Sequence, residues 1–193
     1  MKEIGILIFP QVEELDFVGP LEVFGLVNRC REGTSEQNGL EIFLIAPQKE
    51  EITCAHGLRV FPDCSFGETP PLDLLVVPGG PGTREQMKNS HMLKFARDQA
   101  ARCELLASVC TGALILAAAG LLKGKRATTH WSAHQELAKF DDITVVQERF
   151  VRDGNVITSA GISAGIDMAL FLVKESFGEE LAENVSKRLE WSI

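Results

Sequence analysis

The sequence predicts an α/β protein with a mostly parallel sheet and helices on both faces. Strand-like apolar runs alternate with helical segments along the chain, which is the pattern of repeated strand–helix units. The run LDLLVVP at 72–78 is apolar enough for a strand buried on both faces. The stretch 104–122, ELLASVCTGALILAAAGLL, joins such a strand directly to a buried helix. Its eighteen consecutive uncharged residues, 105–122, also approach the length of a membrane span. Small polar groups and a glycine, Ser108-Val109-Cys110-Thr111-Gly112, interrupt it where a spanning helix would be most apolar. The reading adopted is therefore a strand over 104–109, a sharp turn at Cys110 and a helix over 111–121, ended by Lys123-Gly124-Lys125.

The remaining elements follow in order. EIGILIF at 3–9 reads as a buried strand stopped by Pro10. A helix spans 16–28, with Asp16 as its cap and Pro20 tolerable only in its first turn. The polar, glycine-bounded segment 31–39 reads as a surface loop, and LEIFLIA at 40–46 as the second strand. Two short strand pieces flank His56-Gly57. After the strand at 72–78 comes the loop Gly79-Gly80-Pro81-Gly82, then a helix over 90–101. Beyond the central elbow, RATTHW reads as a short strand running into His130-Trp131, followed by a helix to about 139. Residues 143–158 form two strands around Asp153-Gly154-Asn155, a hairpin signal. A helix of small and apolar residues covers 159–178, and an amphipathic one covers 179–190.

Composition narrows the function classes. A chain of 193 residues, 45% hydrophobic and 24% charged, is enough for a single domain over 1–193 with a sizeable core. Its 19 basic and 27 acidic residues give a net charge of −8, which argues against nucleic acid or an anionic membrane as partner. The first ten residues lack the features of a signal peptide, so a cytoplasmic location is expected. The five cysteines are odd in number and form no Cys-x-x-Cys pair, which favours free thiols over disulfides. His130 and His134 stand four apart, but no glutamate lies between them as in His-Glu-x-x-His and no third ligand suggests itself, so no metal site is expected.

The elbow makes a chemical claim. A thiol between a strand and a helix N-terminus lies near unpaired backbone N–H groups and the positive end of the helix dipole, which lowers its pKa and favours the thiolate. Ser108 and Gly112, two residues to either side of Cys110, suit a tight elbow of the Gly-x-Ser-x-Gly kind. A structural cysteine fits the same local sequence, because free cysteines are commonly buried. Ligands of open α/β sheets bind at the carboxyl ends of the strands. There the loop 10–16, the glycine loop 79–82 and Cys110 converge, and the backbone N–H groups of Gly80 and Thr111 are placed to form a two-donor oxyanion pocket. Gly79-Gly80 also reads simply as a tight turn.

DFVGPLEVF, VVPGGPGTR, ASVCTGALILAAAGLLKGKRATTHW and SAGISAGIDMALFLV, in this order and at these separations, resemble the ThiJ/PfpI group of the class I glutamine amidotransferase-like superfamily. Within it, the pattern is similar to the isocyanide hydratases and to the sensing half of AraC-type regulators. The resemblance covers essentially the whole chain and implies a flavodoxin-like three-layer α/β sandwich, usually a homodimer, needing no cofactor or metal. It places the nucleophile at Cys110, Thr111 directly after it, and Asp16 near the sulfur, where many members carry a glutamate. Gly80, beside Gly79, matches the glycine-loop donor, and His130 stands where some members have a histidine partner.

The implied activity is addition of water to an isocyanide, giving an N-formamide through a thioimidate on Cys110, with Asp16 moving the proton. A carboxylate beside a thiolate disfavours double ionisation, so the two groups are expected to share one proton near neutral pH. An uncharged small-molecule substrate suits lining by Ile162, Phe17 and Trp131. A cysteine-dependent glyoxalase or peptidase and a thiol sensor oxidised at Cys110 are the alternatives. The regulators carry a helix-turn-helix region after this domain, and the hydratases a proline-rich tail. The sequence ends at Ile193 with neither, so a DNA-reading regulator is not expected, and the tail's part in dimerisation and pocket closure is open.

Overall fold

The computed structural model describes residues 1–31 and 39–191; the expected surface loop at 31–39 lies almost wholly outside the described residues. In chain order the elements are β1 (Glu3–Leu7), α1 (Glu14–Arg31), β2 (Glu41–Ala46), β3 (Ile52–Thr53), β4 (Arg59–Val60), β5 (Cys64–Ser65), β6 (Leu74–Val77), α2 (Thr83–Gln86) and α3 (Ser90–Ala100). They continue with β7 (Leu105–Val109), α4 (Gly112–Ala118), β8 (Lys125–Ala127), a 3-10 turn (Trp131–Ala133) and α5 (His134–Leu137). The last are β9 (Ile143–Val145), β10 (Phe150–Asp153), β11 (Val156–Ser159), α6 (Ala164–Phe177) and α7 (Glu179–Arg188).

Seven strands form the central sheet in the order β10-β11-β7-β6-β1-β2-β5. Every pairing is parallel except β10 with β11. The inner strands β6 and β7 are apolar because both their faces are covered; Leu74, Leu75, Val76 and Val77 are fully buried. From β1 the chain steps outward to β2 in one direction, and from β6 to β7 in the other. Right-handed crossovers running in opposite directions put their helices on opposite faces. Accordingly α1 packs with α6 and α7, whereas α4 packs with α2, α3 and α5. The flavodoxin-like α/β class read from the sequence is the class observed.

Several boundaries differ from expectation. The helix begins at Glu14, so Asp16 lies inside its first turn rather than at its cap, and Pro20 falls in the helix interior. The segment 159–163 is not helical: Ser159 ends β11, and α6 starts only at Ala164. Small residues carry no period that marks where a helix starts, and the parallel pairing of Ser159 with Val109 makes Ser159 the end of a strand. The hairpin around Asp153-Gly154-Asn155 is present as β10 and β11. Residues 143–145, read as part of it, pair instead with β8. The pieces flanking His56-Gly57 form the antiparallel pair β3–β4.

Candidate functional site

The strands β1 and β6 are the neighbours from which the chain departs in opposite directions, and this switch point opens a crevice at their carboxyl ends. Three segments meet there: the turn leading into α1, the glycine loop after β6 and the elbow after β7. Close backbone approach binds them together. A Cβ at Gly112 would lie 2.0 Å from the Val77 carbonyl oxygen, and one at Gly79 would lie 2.5 Å from the Thr111 nitrogen. Glu13 N donates to Gly79 O at 3.0 Å, which fixes the start of α1 to the glycine loop.

Cys110 sits at the tip of the elbow with φ 56°, the left-handed region that non-glycine residues enter at a cost of about 1–3 kcal/mol. Its surroundings hold that conformation in place. The Cys110 N–H donates to Ala160 O at 2.8 Å and Ser159 O at 3.1 Å, and its carbonyl accepts from the Thr129 hydroxyl at 2.8 Å. Gly161 presses on the side chain: a Cβ there would lie 2.8 Å from Sγ. Only 6% of Cys110 is exposed.

Asp16 is fully buried on the first turn of α1. Its Oδ2 accepts from Gly79 N–H at 3.0 Å, whereas Oδ1 meets no donor in good hydrogen-bond geometry. The Cys110 side chain lies beside the carboxyl, and each group perturbs the ionisation of the other. Burial, against the Gly79 hydrogen bond, pushes Asp16 up to about 7, with the Glu13 charge adding to the rise. Burial and then the Asp16 charge push the Cys110 thiol up to about 12. The depressed thiol expected from the elbow is therefore not found. The Thr111 N–H does lower it, but α4 has only seven residues, and burial and the neighbouring carboxyl win. The pair therefore loses its first proton from Asp16 near neutrality and keeps the second on the Cys110 thiol into strong alkali.

The expected two-donor oxyanion pocket is also corrected. Gly80 N–H is committed to Thr111 Oγ1 at 3.0 Å, and that hydroxyl also meets Thr83 Oγ1 at 2.9 Å. The Thr111 side chain thus locks the glycine loop to the elbow, and Gly79 N–H serves Asp16. Of the expected donors, the Thr111 N–H alone faces the sulfur.

His130 is turned to local work. It caps the 3-10 turn, with Nδ1 at 2.8 Å from Ser132 Oγ and 3.4 Å from Ser132 N. Among the described residues no hydrogen bond joins it to Cys110. Of the expected lining residues, Ile162 follows Gly161 beside the cysteine and is 37% exposed, Phe17 is buried in the core, and Trp131 is 77% exposed. Gly161, Thr83, Thr129 and Glu13 were not singled out in the sequence. The acidic pair preceding Asp16 was the one visible hint of the last. A separate groove of about 580 Å³ lies between α6 and α7, lined by Phe150, Leu170, Phe171 and Trp191, and does not include Cys110.

A cysteine on a strained strand–helix elbow, beside a buried carboxyl at the switch point of a flavodoxin-like sandwich, defines a class of thiol-bearing α/β proteins suited to covalent addition coupled to proton transfer. Residues 2–175 match the DJ-1/PfpI family, and the chain belongs to it. It is 42% identical to an isonitrile hydratase of Pseudomonas putida over 98% of this chain and 78% of that protein. It is 28% identical to the HTH-type transcriptional regulator GbdR of Pseudomonas aeruginosa over 96% of this chain, which spans half of the regulator's length. The crystal structure of a ThiJ/PfpI family protein from Pseudomonas syringae superposes with a TM-score of 0.89 at 37% identity, covering all of this chain and 76% of that one.

Proposed function

We propose that the protein is an isocyanide hydratase in which Cys110 is the nucleophile and Asp16 the proton carrier. The observation that carries this reading is the buried Asp16 carboxyl beside Cys110, with one oxygen held by Gly79 and the other unpartnered. Similarity to an isonitrile hydratase over nearly the whole chain supports the substrate class. In the first step the pair, carrying one proton, meets R–N≡C. As the sulfur forms a bond to the terminal carbon, the Cys110 thiol proton passes to Asp16, which delivers it to that carbon, leaving a thioimidate, R–N=CH–S–Cys110, and a carboxylate.

Asp16 then takes a proton from water as the hydroxyl adds to the carbon, and returns it to nitrogen. Collapse of the adduct transfers the hydroxyl proton to Asp16 and breaks the C–S bond, releasing R–NH–CHO and restoring the starting pair. Atoms and charge balance with one water consumed. An acid held near 7 suits both directions of transfer at neutral pH. The capping role of His130 weakens a cysteine–histidine peptidase reading, because that chemistry needs the histidine on the thiol.

The test is conversion of an aryl isocyanide to its formamide, followed by absorbance and product mass. Wild-type turnover that is lost in Cys110→Ala and reduced at least about 100-fold in Asp16→Asn is the expected result. Full activity in Asp16→Asn would remove the proton-carrier assignment, and an inactive wild type would remove the hydratase.

A further inference from the structure

Glu13, three residues before Asp16, is tied to the site on two sides. Its N–H donates to Gly79 O while Asp16 accepts from Gly79 N–H, so both acids hang on one loop residue. Outward, its Oε1 lies 3.5 Å from Nδ1 of His56 at the tip of the β3–β4 hairpin. His56 is held in place by Glu14, with Nδ1 at 2.9 Å from Oε2 and its N–H at 2.7 Å from Oε1. The Glu13 side chain is 15% exposed and that of His56 71%, so a nearly enclosed charge is coupled to a solvent-facing base. The Glu13 charge adds to the rise of Asp16, behind burial, and to that of His56, behind its hydrogen bond to Glu14.

We propose that Glu13 is a positioning residue of the Asp16–Cys110 pair: its backbone is anchored at the same loop residue as Asp16, its charge favours a proton on Asp16, and His56 adjusts that hold with solvent pH. The inference rests on the pair as the reacting centre proposed above. An uncompensated carboxylate close to Asp16 favours the protonated form of Asp16. When His56 takes up a proton the outer charge is neutralised and the hold weakens; when it loses it, the hold strengthens. The titratable and charged groups around the pair are Glu13 and Glu14 at the start of α1, His56 and Cys54 of the hairpin, Cys110 of the elbow, and His130, with His134 and Arg84 beyond it.

The experiment is the rate of Cys110 alkylation by iodoacetamide over about pH 5–9, read by mass spectrometry on the Cys110 peptide so that the other cysteines do not contribute. The profile inflects where the pair loses its first proton. Glu13→Gln moves the inflection to lower pH, His56→Gln moves it to higher pH, and Glu13→Asp, which keeps the charge, restores most of the wild-type position. An unmoved inflection in a folded Glu13→Gln protein, or a shift of both variants in the same direction, overturns the proposal. If Glu13→Gln does not fold, the exposed His56→Gln decides alone: an upward shift supports the coupling and an unmoved inflection overturns it. Alkylation needs no isocyanide, so a shifting profile without hydration removes the hydratase reading alone, and an unmoved profile in an active hydratase removes this one.

Discussion

Asp16 holds a proton that a solvent-exposed aspartate would have lost. The rise from its ordinary value of 3.8 to about 7 corresponds to a preference of about 4 kcal/mol for the protonated form. Because the folded-state value is the higher one, this contribution is fully present below pH 3.8 and is lost as pH rises through about 7. Asp16→Asn removes that dependence. The stability difference between variant and wild type, measured by urea unfolding, should therefore shift in favour of the variant between these limits; a constant difference would contradict the buried-acid account. Thr111→Val leaves the buried Gly80 N–H without its acceptor and is expected to cost about 1–3 kcal/mol, with slower alkylation of Cys110 as the elbow loosens. Neither assignment was legible locally. Asp16 reads as a helix cap until α1 is seen to begin at Glu14, and Thr111 reads only as the residue after the cysteine.

At the scale of elements, glycines and caps decide where the segments stop. Gly112 opens α4, where alanine would ordinarily favour the helix by up to about 1 kcal/mol. The 2.0 Å approach to Val77 O reverses that preference, so Gly112→Ala is expected to destabilise by about 2 kcal/mol or more, read as a lower thermal midpoint. Asn89 caps α3, its side chain accepting from the N–H groups of His91 and Met92. Asn89→Ala should cost about 1 kcal/mol and leave Cys110 alkylation unchanged, since α3 does not enter the site. Strand positions were readable because buried parallel strands are short apolar runs. The start of α6 was not, because Gly161, Ile162 and Ser163 carry no periodic signal and their loop is fixed by contact with Cys110.

At the scale of the molecule, the sheet order places the chemistry. Loops after β1, β6 and β7 converge because the crossovers diverge from β1 and β6. The sheet beneath them must stay rigid for the elbow to hold φ 56°. Leu75, fully buried on β6, pairs with Gly5 of β1 and Leu106 of β7 at the centre of that sheet. Leu75→Ala should lower stability by about 2–5 kcal/mol in chemical denaturation, and a loss under 1 kcal/mol would mean the site's floor is not packed as described.

The α/β class, the succession of strands and helices along the chain, the elbow at Cys110 and the set of loops at the carboxyl ends were legible in the amino-acid sequence. These depend on hydropathy runs and on small residues at fixed spacing, which are local properties. Tertiary structure alone decided the ionisation of the pair, the commitment of Gly80 N–H to Thr111, the turn of His130 toward Ser132 and the bridge from Glu13 to His56. Each depends on burial or on a partner distant in sequence. Desolvation of a charge and the occupancy of a hydrogen-bond donor are set by what surrounds a group in space, and no spacing along the chain encodes them.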